Sequence, residues 1–531
     1  MQGPTSQSDT PAHPGAWWLH PFLVAAFPVV FLFAENIQEQ LSVQPLGTPL
    51  GIVLGGAVVV LGAWLLAGRT LGFSAGRAAL AASLAIGLVL TYGHAWNLAG
   101  EVVGLHWYLL FGWVALGLVG VVVILRAAAT SVRRMTGALN AVVGLLIAIN
   151  LVPIGSLALR SVDAPAATAS GDGGTALPGA TRDVWYIVVD RYAGSTTLQD
   201  TYGFDNGPFL EALRERGFAV AEKATANYLK TPFSIASSLN MEELDFDMLE
   251  SEAAAADDWG PVYRRLQASH AVERFLHERG YRYLHVGSRR GPTAENAAAD
   301  MTYLLGATTE FTAVFADTTI LAALNRVIPS TTPRGIEEIM PAQTEFQLRL
   351  FDRLADAPGR KFVFAHMLVP HPPYAFNEDG SRVTDAQRAS RSVDEQYIEQ
   401  VKFTNASMLR LIDRLHAGAR DTWPIIVLAS DEGPFPSRYA ADEEAFKWLE
   451  ATPQELKQKF SILTAISVPG VDEAGLQAAG FTDDLMPVNL FRVVFNAAFE
   501  ADLPLQPQRS WVFVDQRHLY DAVDITDRIP R

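Results

Sequence analysis

Three carboxylates in the second half of the chain follow short apolar runs that have the composition of buried strands. Asp190 follows the run 184–189, and Asp431 and Glu432 follow the run 425–429 after a single serine. The carboxyl ends of parallel strands share one edge of a sheet, so we expect the three carboxylates to lie close together. Capping of a turn or helix is the stronger explanation for any one of them. Their coincidence favours a divalent metal site.

Basic side chains are expected at the same edge of the sheet. His366 lies near the end of another apolar run, and His371 begins a His-Pro-Pro-Tyr sequence just after it. Arg289 and Arg290 follow the run 281–286 and could bind an anionic head group. Paired arginines more often form a solvated turn, however. We assign all four residues to substrate binding.

A hydroxyl side chain could supply the nucleophile. Thr231 is expected at the N-cap of a helix, with Pro232 at the first helical position. Capping would be a sufficient role for this threonine, but helix N-termini also bind anions. A hydroxyl beside a metal ion loses its proton more easily and can attack phosphorus.

The order of apolar runs and helical patterns indicates how these residues are positioned. From residue 183 onward the expected strands are 184–189, 281–286, 362–368, 425–429 and 462–468. Helix-length segments between them include 262–279, 342–355 and 393–416. This alternation predicts an α/β domain with a mainly parallel sheet sandwiched by helices.

The first part of the chain has a different composition. Its apolar runs are each long enough for a membrane span of roughly 17–25 residues, and they lie at about 17–34, 50–68, 78–97, 107–126 and 137–157. We predict a transmembrane domain of about five helices over 1–160, a flexible linker over 161–182 and the α/β domain over 183–531. The linker prediction rests on its Ala, Thr, Ser, Gly and Pro content.

Charge is distributed unevenly between the two parts. The formal charge of −16 divides into +1 for residues 1–182 and −17 for residues 183–531. An acidic domain without a basic cluster is unsuited to nucleic acid, whose phosphates need a basic face. The chain has no cysteine, which excludes disulfides, thiolate metal ligands and a cysteine nucleophile.

The connections between the apolar runs indicate an orientation in the membrane. Two connections contain arginines, whereas those near 35–49 and 98–106 contain neither Arg nor Lys. The arginines are Arg69, Arg77, Arg126, Arg133 and Arg134. Basic connections favour the cytoplasm. We therefore expect a multi-pass protein of the cell membrane with a cytoplasmic N-terminus and an extracytoplasmic C-terminal domain.

Together these motifs resemble the alkaline phosphatase and sulfatase superfamily, and the membrane anchor resembles membrane phosphotransferases of the lipoteichoic acid synthase type. That family has a carboxylate after the first strand, a threonine at a helix start and an Asp-His-Gly turn after a late strand, which together bind one divalent ion, commonly manganese. The resemblance implies Asp190, Thr231 and Asp431 as metal ligands and Thr231 as the nucleophile. It implies His371 as a contact to a phosphate-bearing substrate.

Two departures from the family pattern change these expectations. Glu432 stands where the family has histidine, and we expect it to be a further ligand. An oxygen donor there favours manganese, magnesium or calcium over zinc. Sulfatases need cysteine or serine in a C/S-x-P-x-R motif, whereas this chain has Thr231-Pro232-Phe233-Ser234. Hydrolysis of sulfate esters is therefore disfavoured.

Three functions are consistent with the sequence. The leading hypothesis is a phosphotransferase that moves a phospholipid-derived head group to an envelope lipid or glycan through a phosphothreonine intermediate. The second is a membrane-anchored phosphodiesterase, phosphatase or sulfatase-like hydrolase. The third is a non-catalytic binding protein on a decayed enzyme fold, against which the retention of Asp190, Thr231, His371 and Asp431 argues.

The orientation can be tested with introduced cysteines, because the chain has none of its own. We expect Gln40→Cys and Ser170→Cys to react with a membrane-impermeant thiol reagent on intact cells, and Ser131→Cys to react only after lysis. The reverse labelling pattern would contradict both the predicted topology and an outward-facing site.

Overall fold

The chain folds into two compact units, and each is described separately. The computed structural model describes residues 16–40, 42–99, 105–163, 182–289, 291–305, 310–321 and 336–530. The first unit contains Met1–Ile37, Ser42–Ala164 and Thr308–Gly335. The second unit contains Gln38–Leu41, Pro165–Ala307 and Ile336–Arg531. Most of the predicted linker, residues 164–181, lies outside the described residues.

Five apolar helices dominate the first unit, and each overlaps one predicted run. They are α1 (Leu19–Glu35), α2 (Gly47–Leu71), α3 (Ala75–Ala99), α4 (Leu105–Arg126) and α5 (Ala129–Asp163). Four of them, α2 to α5, are long and apolar enough to cross a membrane. Helix α1 has 17 residues and is a shorter apolar helix. A fifth span therefore stays a prediction.

The remaining α-helices among the described residues follow in the second part of the chain. They are α6 (Ser195–Tyr202), α7 (Gly207–Glu215), α8 (Thr231–Asn240), α9 (Phe246–Glu252), α10 (Gly260–Gln267), α11 (Ala271–His277), α12 (Glu310–Asp317), α13 (Ile336–Ala355), α14 (Asp385–Ser390), α15 (Val393–Leu415), α16 (Ser437–Ala441), α17 (Pro453–Phe460), α18 (Glu473–Ala478) and α19 (Leu490–Phe499). All belong to the second unit except α12, which folds within the first.

The second unit is built on a seven-stranded sheet in the order β2-β7-β6-β1-β5-β3-β4. The strands are β1 (Val184–Val189), β2 (Ala219–Val220), β3 (Arg282–Val286), β4 (Met301–Tyr303), β5 (Lys361–Met367), β6 (Ile425–Ala429) and β7 (Thr464–Ser467), and β8 (Trp511–Phe513) with β9 (Ala522–Asp524) forms a separate hairpin. Strands β4, β3, β5, β1 and β6 are parallel, whereas β7 is antiparallel to β6 and to β2. The predicted mainly parallel α/β fold is confirmed.

Strand β1 illustrates why the expected strands are continuous apolar runs. Val184, Tyr186 and Val188 pack into one core cluster, and Trp185 and Ile187 pack into the cluster on the other face. Helices cover both faces of a parallel sheet, so side chains that alternate between the faces must all be apolar.

One long helix expected over 262–279 is divided in two. Helix α10 ends at Gln267, and His270 caps the start of α11 by accepting a hydrogen bond from the Glu273 N–H at 3.1 Å. His270 is fully buried. The break arises because the His270 side chain satisfies a backbone donor that a continuous helix would pair internally.

Candidate metal centre

The ends of three adjacent strands bring together two carboxylates and an imidazole. Val188 of β1 pairs with His366 of β5 and with Ala429 of β6. Asp190 and Asp431 each lie two residues beyond their paired positions. Ligand atoms of Asp190, His366 and Asp431 all lie within 4.8 Å of one another, and all three residues are buried. The expected convergence at the carboxyl edge is therefore observed.

The donor atoms of this group are available to an ion. His366 Nε2, both carboxylate oxygens of Asp190 and one of Asp431 are buried without a hydrogen-bond partner among the described residues. His366 Nε2 stands 3.5 Å from Asp190 Oδ2. Buried polar atoms are normally satisfied, because leaving them unpaired is costly. A divalent cation would satisfy these atoms at once, so the donor set fits a metal site.

Thr231 begins helix α8 beside this group. The N-cap is Lys230, so Thr231 lies at the first helical position, one residue further into the helix than expected. Thr231 is buried, and its hydroxyl lies close enough to the Asp431 carboxyl to lower the pKa of that group. The hydroxyl predicted to be the nucleophile thus lies beside the candidate metal group.

The two carboxylates have opposite pKa shifts. Burial, together with the neighbouring Asp190 and Glu432 carboxylates, raises the pKa of Asp431 to about 7. Burial also opposes ionisation of Asp190, but His371, His366 and Arg191 outweigh it and hold the pKa of Asp190 below its ordinary value. Such a pair is typical of like charges forced together in a low-dielectric site.

The backbone after Asp190 is held in an unusual conformation. Arg191 has a φ of 62°, which is uncommon for a residue with a Cβ atom. Its carbonyl accepts a hydrogen bond from Tyr397 Oη at 2.9 Å, and the next N–H, of Tyr192, donates to Ser430 Oγ at 2.9 Å. These bonds fix the turn that aims Asp190 at the site and join it to the end of β6.

Glu432, expected as a further metal ligand, lies outside the group. Its Oε1 atom is 3.0 Å from Lys459 Nζ and 3.2 Å from Arg191 Nε. The structure therefore gives this carboxylate two cationic partners where the sequence predicts a metal contact. His366 shows the converse, because the sequence assigns it to substrate binding whereas the structure places it among the candidate ligands.

A glycine allows Lys459 to approach Glu432. The Gly433 N–H donates to the Lys459 carbonyl at 2.8 Å, and Lys459 Nζ donates to the Gly433 carbonyl at 3.1 Å. A Cβ atom on Gly433 would lie 2.3 Å from the Gln458 carbonyl oxygen. Only glycine permits so close a backbone approach.

Three cations that the sequence does not single out surround one aromatic ring. Arg191, Lys230 and Lys459 lie 4.4, 4.7 and 3.5 Å from the centre of the Phe435 ring. Lys230 also contacts Glu443 at 3.1 Å. Glu432 and Glu443 are thus the two carboxylates that pair with these three cations. Arg191 and Lys230 adjoin Asp190 and Thr231 in the sequence, whereas nothing in the sequence points to Lys459.

Hydroxyl groups orient His366. Its Nδ1 atom is 2.7 Å from Thr293 Oγ1, which is 2.6 Å from Ser288 Oγ. The Thr293 carbonyl is 3.1 Å from His285 Nε2. An imidazole that binds a metal through Nε2 carries its proton on Nδ1, which Thr293 can accept. Thr293 is therefore placed to orient His366, and no motif in the sequence points to it.

His371 is buried close to the group. The Gln400 side chain donates to the His371 carbonyl at 2.8 Å, and His371 Nδ1 contacts the Pro372 carbonyl. The imidazole is one of the causes of the lowered pKa of Asp190. The predicted substrate contact is therefore near the candidate ligands.

Of the two arginines that follow β3, the structure describes only Arg289. Arg289 is buried and donates from Nη2 to the Leu305 carbonyl. Burial lowers its pKa. Within the described ranges, Nε and Nη1 of Arg289 have no hydrogen-bond partner. Arg290 lies outside the described residues, so substrate binding by both arginines stays a prediction.

Comparisons with known proteins give structural matches alone. No family model and no curated protein matches the chain. The C-terminal periplasmic domain of EcEptC from Escherichia coli matches with 13% identity and a TM-score of 0.42, covering 67% of this chain and 98% of that one. The soluble domain of lipooligosaccharide phosphoethanolamine transferase A from Neisseria meningitidis matches with 14% identity and a TM-score of 0.38, covering 61% and 89%.

A third match names the superfamily indicated by the sequence motifs. A protein in the alkaline phosphatase superfamily from Vibrio parahaemolyticus has 12% identity and a TM-score of 0.39, and the match covers 63% of this chain and 74% of that one. These are likenesses of fold. At such identities and TM-scores they assign neither an activity nor a ligand to this chain.

Substitutions can separate the metal group from the ion pair. We expect Asp190→Asn and Asp431→Asn to abolish binding of a divalent ion by the full-length protein, because each loses a charged donor. Glu432→Gln should retain the ion but lower the melting temperature, because loss of one partner leaves buried Lys459 uncompensated, at a cost of roughly 3–5 kcal/mol. Elemental analysis and thermal unfolding measure the two effects. If Glu432→Gln loses the metal ion and keeps the wild-type melting temperature, Glu432 is a metal ligand after all.

The role of Thr293 is testable with a substitution of similar shape. We expect Thr293→Val to weaken metal affinity by roughly 10–100-fold, because His366 loses the acceptor that fixes its tautomer. Thr293→Ser keeps the hydroxyl and should bind metal nearly as well as the wild type. Competition with a chromogenic chelator measures the affinities. Equal affinity of the valine variant and the wild type would refute a positioning role.

Proposed function

We propose that the protein is a membrane-bound, metal-dependent phosphotransferase that moves a phospholipid-derived head group to an envelope lipid or glycan. The observation that carries the proposal is the position of Thr231 at the start of α8, beside a buried Asp190–His366–Asp431 group at the carboxyl edge of the sheet. A hydroxyl at a helix start, beside metal-binding donors, has the composition needed for nucleophilic attack on phosphorus.

Asp190, His366 and Asp431 would bind the ion directly. When bound, a divalent ion supplies positive charge that polarises a phosphoryl oxygen and favours the ionised form of a nearby hydroxyl. The imidazole of His366 is a donor that suits zinc, whereas the carboxylates of Asp190 and Asp431 suit manganese, magnesium or calcium. Manganese is the ion we propose, and zinc is its main competitor.

The transfer takes place in two displacements at phosphorus. First, Thr231 Oγ1 forms a bond to phosphorus as the bond to the diacylglycerol oxygen breaks, and the Thr231 proton ends on the released hydroxyl. Then the acceptor hydroxyl oxygen bonds to phosphorus, the bond to Thr231 breaks, and the acceptor proton returns to Thr231. With water as the acceptor, the same steps would amount to phosphodiester hydrolysis.

The cations around Phe435 support an anionic substrate. Arg191 and Lys459 pair with Glu432, and Lys230 pairs with Glu443. Lys230 directly precedes Thr231, and Arg191 directly follows Asp190. Arg191 and Lys230 would thus place positive charge next to a candidate ligand and the candidate nucleophile, where a phosphodiester anion would bind.

The membrane helices support a substrate that resides in the bilayer. Arg69 and Arg77 flank the turn between α2 and α3, and Arg126, Arg133 and Arg134 flank the turn between α4 and α5. Both basic turns are therefore proposed to be cytoplasmic, with the site outside and the donor in the outer leaflet.

The nucleophile can be tested by following the transferred group. The assay offers the protein vesicles of phosphatidylethanolamine or phosphatidylglycerol and measures release of the lipid head group. We expect Thr231→Val to abolish this release, because valine lacks the attacking oxygen. Thr231→Ser should retain measurable turnover. Mass spectrometry of the wild type incubated with a donor should find added phosphate-containing mass on the peptide with Thr231.

Metal content and thermal unfolding of Thr231→Val serve as the controls for folding. A folded, metal-loaded valine variant with wild-type turnover would refute covalent catalysis. Release of the head group only to water, with every lipid and glycan acceptor offered, would support a hydrolase instead.

A further inference from the structure

Residues 310–321 belong to the second half of the sequence but fold within the first unit. The chain leaves the second unit after Ala307 and returns to it at Ile336. Between these points α12 and the four residues after it are described. We call residues 310–321 the inserted segment.

Two aromatic side chains fasten the inserted segment to the apolar helices. Phe311 and Phe315, one helical turn apart on α12, are both buried in a cluster with residues of α1, α2, α3 and α5. The ring of Phe311 meets the ring of Phe33 edge to face, with centroids 5.3 Å apart. This geometry is favourable for aromatic pairs. The inserted segment thus contributes to the packed interior of the first unit.

Backbone hydrogen bonds also join the inserted segment to helix α3. The Gly93 N–H donates to the Thr318 carbonyl at 2.9 Å, and the Ile320 N–H donates to the Val89 carbonyl at 2.8 Å. Val89 C=O and Gly93 N–H are the two groups that an uninterrupted helix would pair with each other. The inserted segment therefore binds backbone groups that belong to the hydrogen-bond pattern of α3. These bonds fix the position of the segment along that helix.

A glycine makes this contact possible. A Cβ atom on Gly93 would lie 2.2 Å from the Asp317 carbonyl oxygen and 2.4 Å from the Thr318 carbonyl carbon. Both atoms are backbone and cannot move aside as a side chain could. Gly87 lies on the same helix, and its added Cβ would have no heavy atom closer than 3.8 Å, in Val24. The two glycines therefore form a matched pair for substitution.

We propose that the inserted segment is a second anchor, which keeps the second unit attached to the membrane helices independently of the linker predicted over 161–182. Its docking surface consists of α1 near Phe33 and α3 at Val89–Gly93, and its partner is this segment of the same chain. The anchor does not depend on any activity of the metal centre.

The anchor can be tested by cutting the linker. A protease recognition sequence inserted between Gly173 and Gly174 of the full-length protein yields an N-terminal fragment with α1 to α5 and a C-terminal fragment with the inserted segment. After cleavage in isolated membranes and a high-salt wash, we expect the C-terminal fragment to stay with the membranes in the otherwise wild-type protein.

Substitutions on both sides of the contact should release the fragment. We expect Gly93→Ala and Phe311→Ser to move most of it to the supernatant, whereas Gly87→Ala and Leu321→Ser should retain it. Leu321 is 46% exposed, so its substitution controls for the loss of an apolar side chain from the segment. Monodisperse extraction of each uncleaved variant in detergent shows that it folds.

Three results would overturn the proposal. Release of the wild-type fragment on cleavage would show that the inserted segment does not anchor it. Full retention in Gly93→Ala and Phe311→Ser would show that other contacts or lipid hold the fragment. Equal release of the fragment from Gly87→Ala and Gly93→Ala would show that its retention depends on the general packing of α3, not on the close approach at Gly93.

Discussion

The burial of two carboxylates beside one another is the constraint on which the second unit depends. Asp190 and Asp431 are both almost completely excluded from solvent, and their ligand atoms lie within 4.8 Å. Two negative charges in such surroundings repel strongly and lose their hydration, so the fold must provide positive charge. His366, His371 and Arg191 provide part of it. The oxygens without hydrogen-bond partners among the described residues are where a divalent ion would supply the remainder.

The neighbouring carboxylate, Glu432, is compensated in another way. Lys459 and Arg191 each approach its Oε1 atom, so its charge is neutralised by side chains of the chain itself. Asp431 and Glu432 are consecutive residues, but Asp431 belongs to the candidate metal group whereas Glu432 pairs with Lys459 and Arg191. The close backbone approach at Gly433 makes this division possible, because it brings Lys459 to the end of β6. Glu432 is therefore held by cations of the chain itself, whereas Asp431 contributes to the candidate metal group.

The sequence predicts local features of the site and misses those that depend on tertiary contacts. Asp190 and Asp431 could be found because each follows an apolar run, and strand ends in a parallel sheet meet at one edge. The role of His366 could not be found, because β5 is buried on both faces and its apolar pattern does not show which face a side chain takes. Lys459 lies in a helix without any motif, and only the packing of α17 brings it to Glu432. The close approach at Gly93 is equally non-local.

The membrane unit shows the same division between what composition reveals and what packing decides. Protein packing buries only 6% of the most apolar stretch of α4, whereas it buries 56% of the corresponding stretch of α3. Exposed large side chains such as Phe111 and Leu118 would be unfavourable in water, so the surface of α4 suits hydrocarbon. On α1, Ala25 and Val29 are fully buried although this helix is the shortest of the five. The inserted segment contacts α1 through Phe33 and α3 through Val89 and Gly93, so it packs in part against helices that carry fully buried side chains.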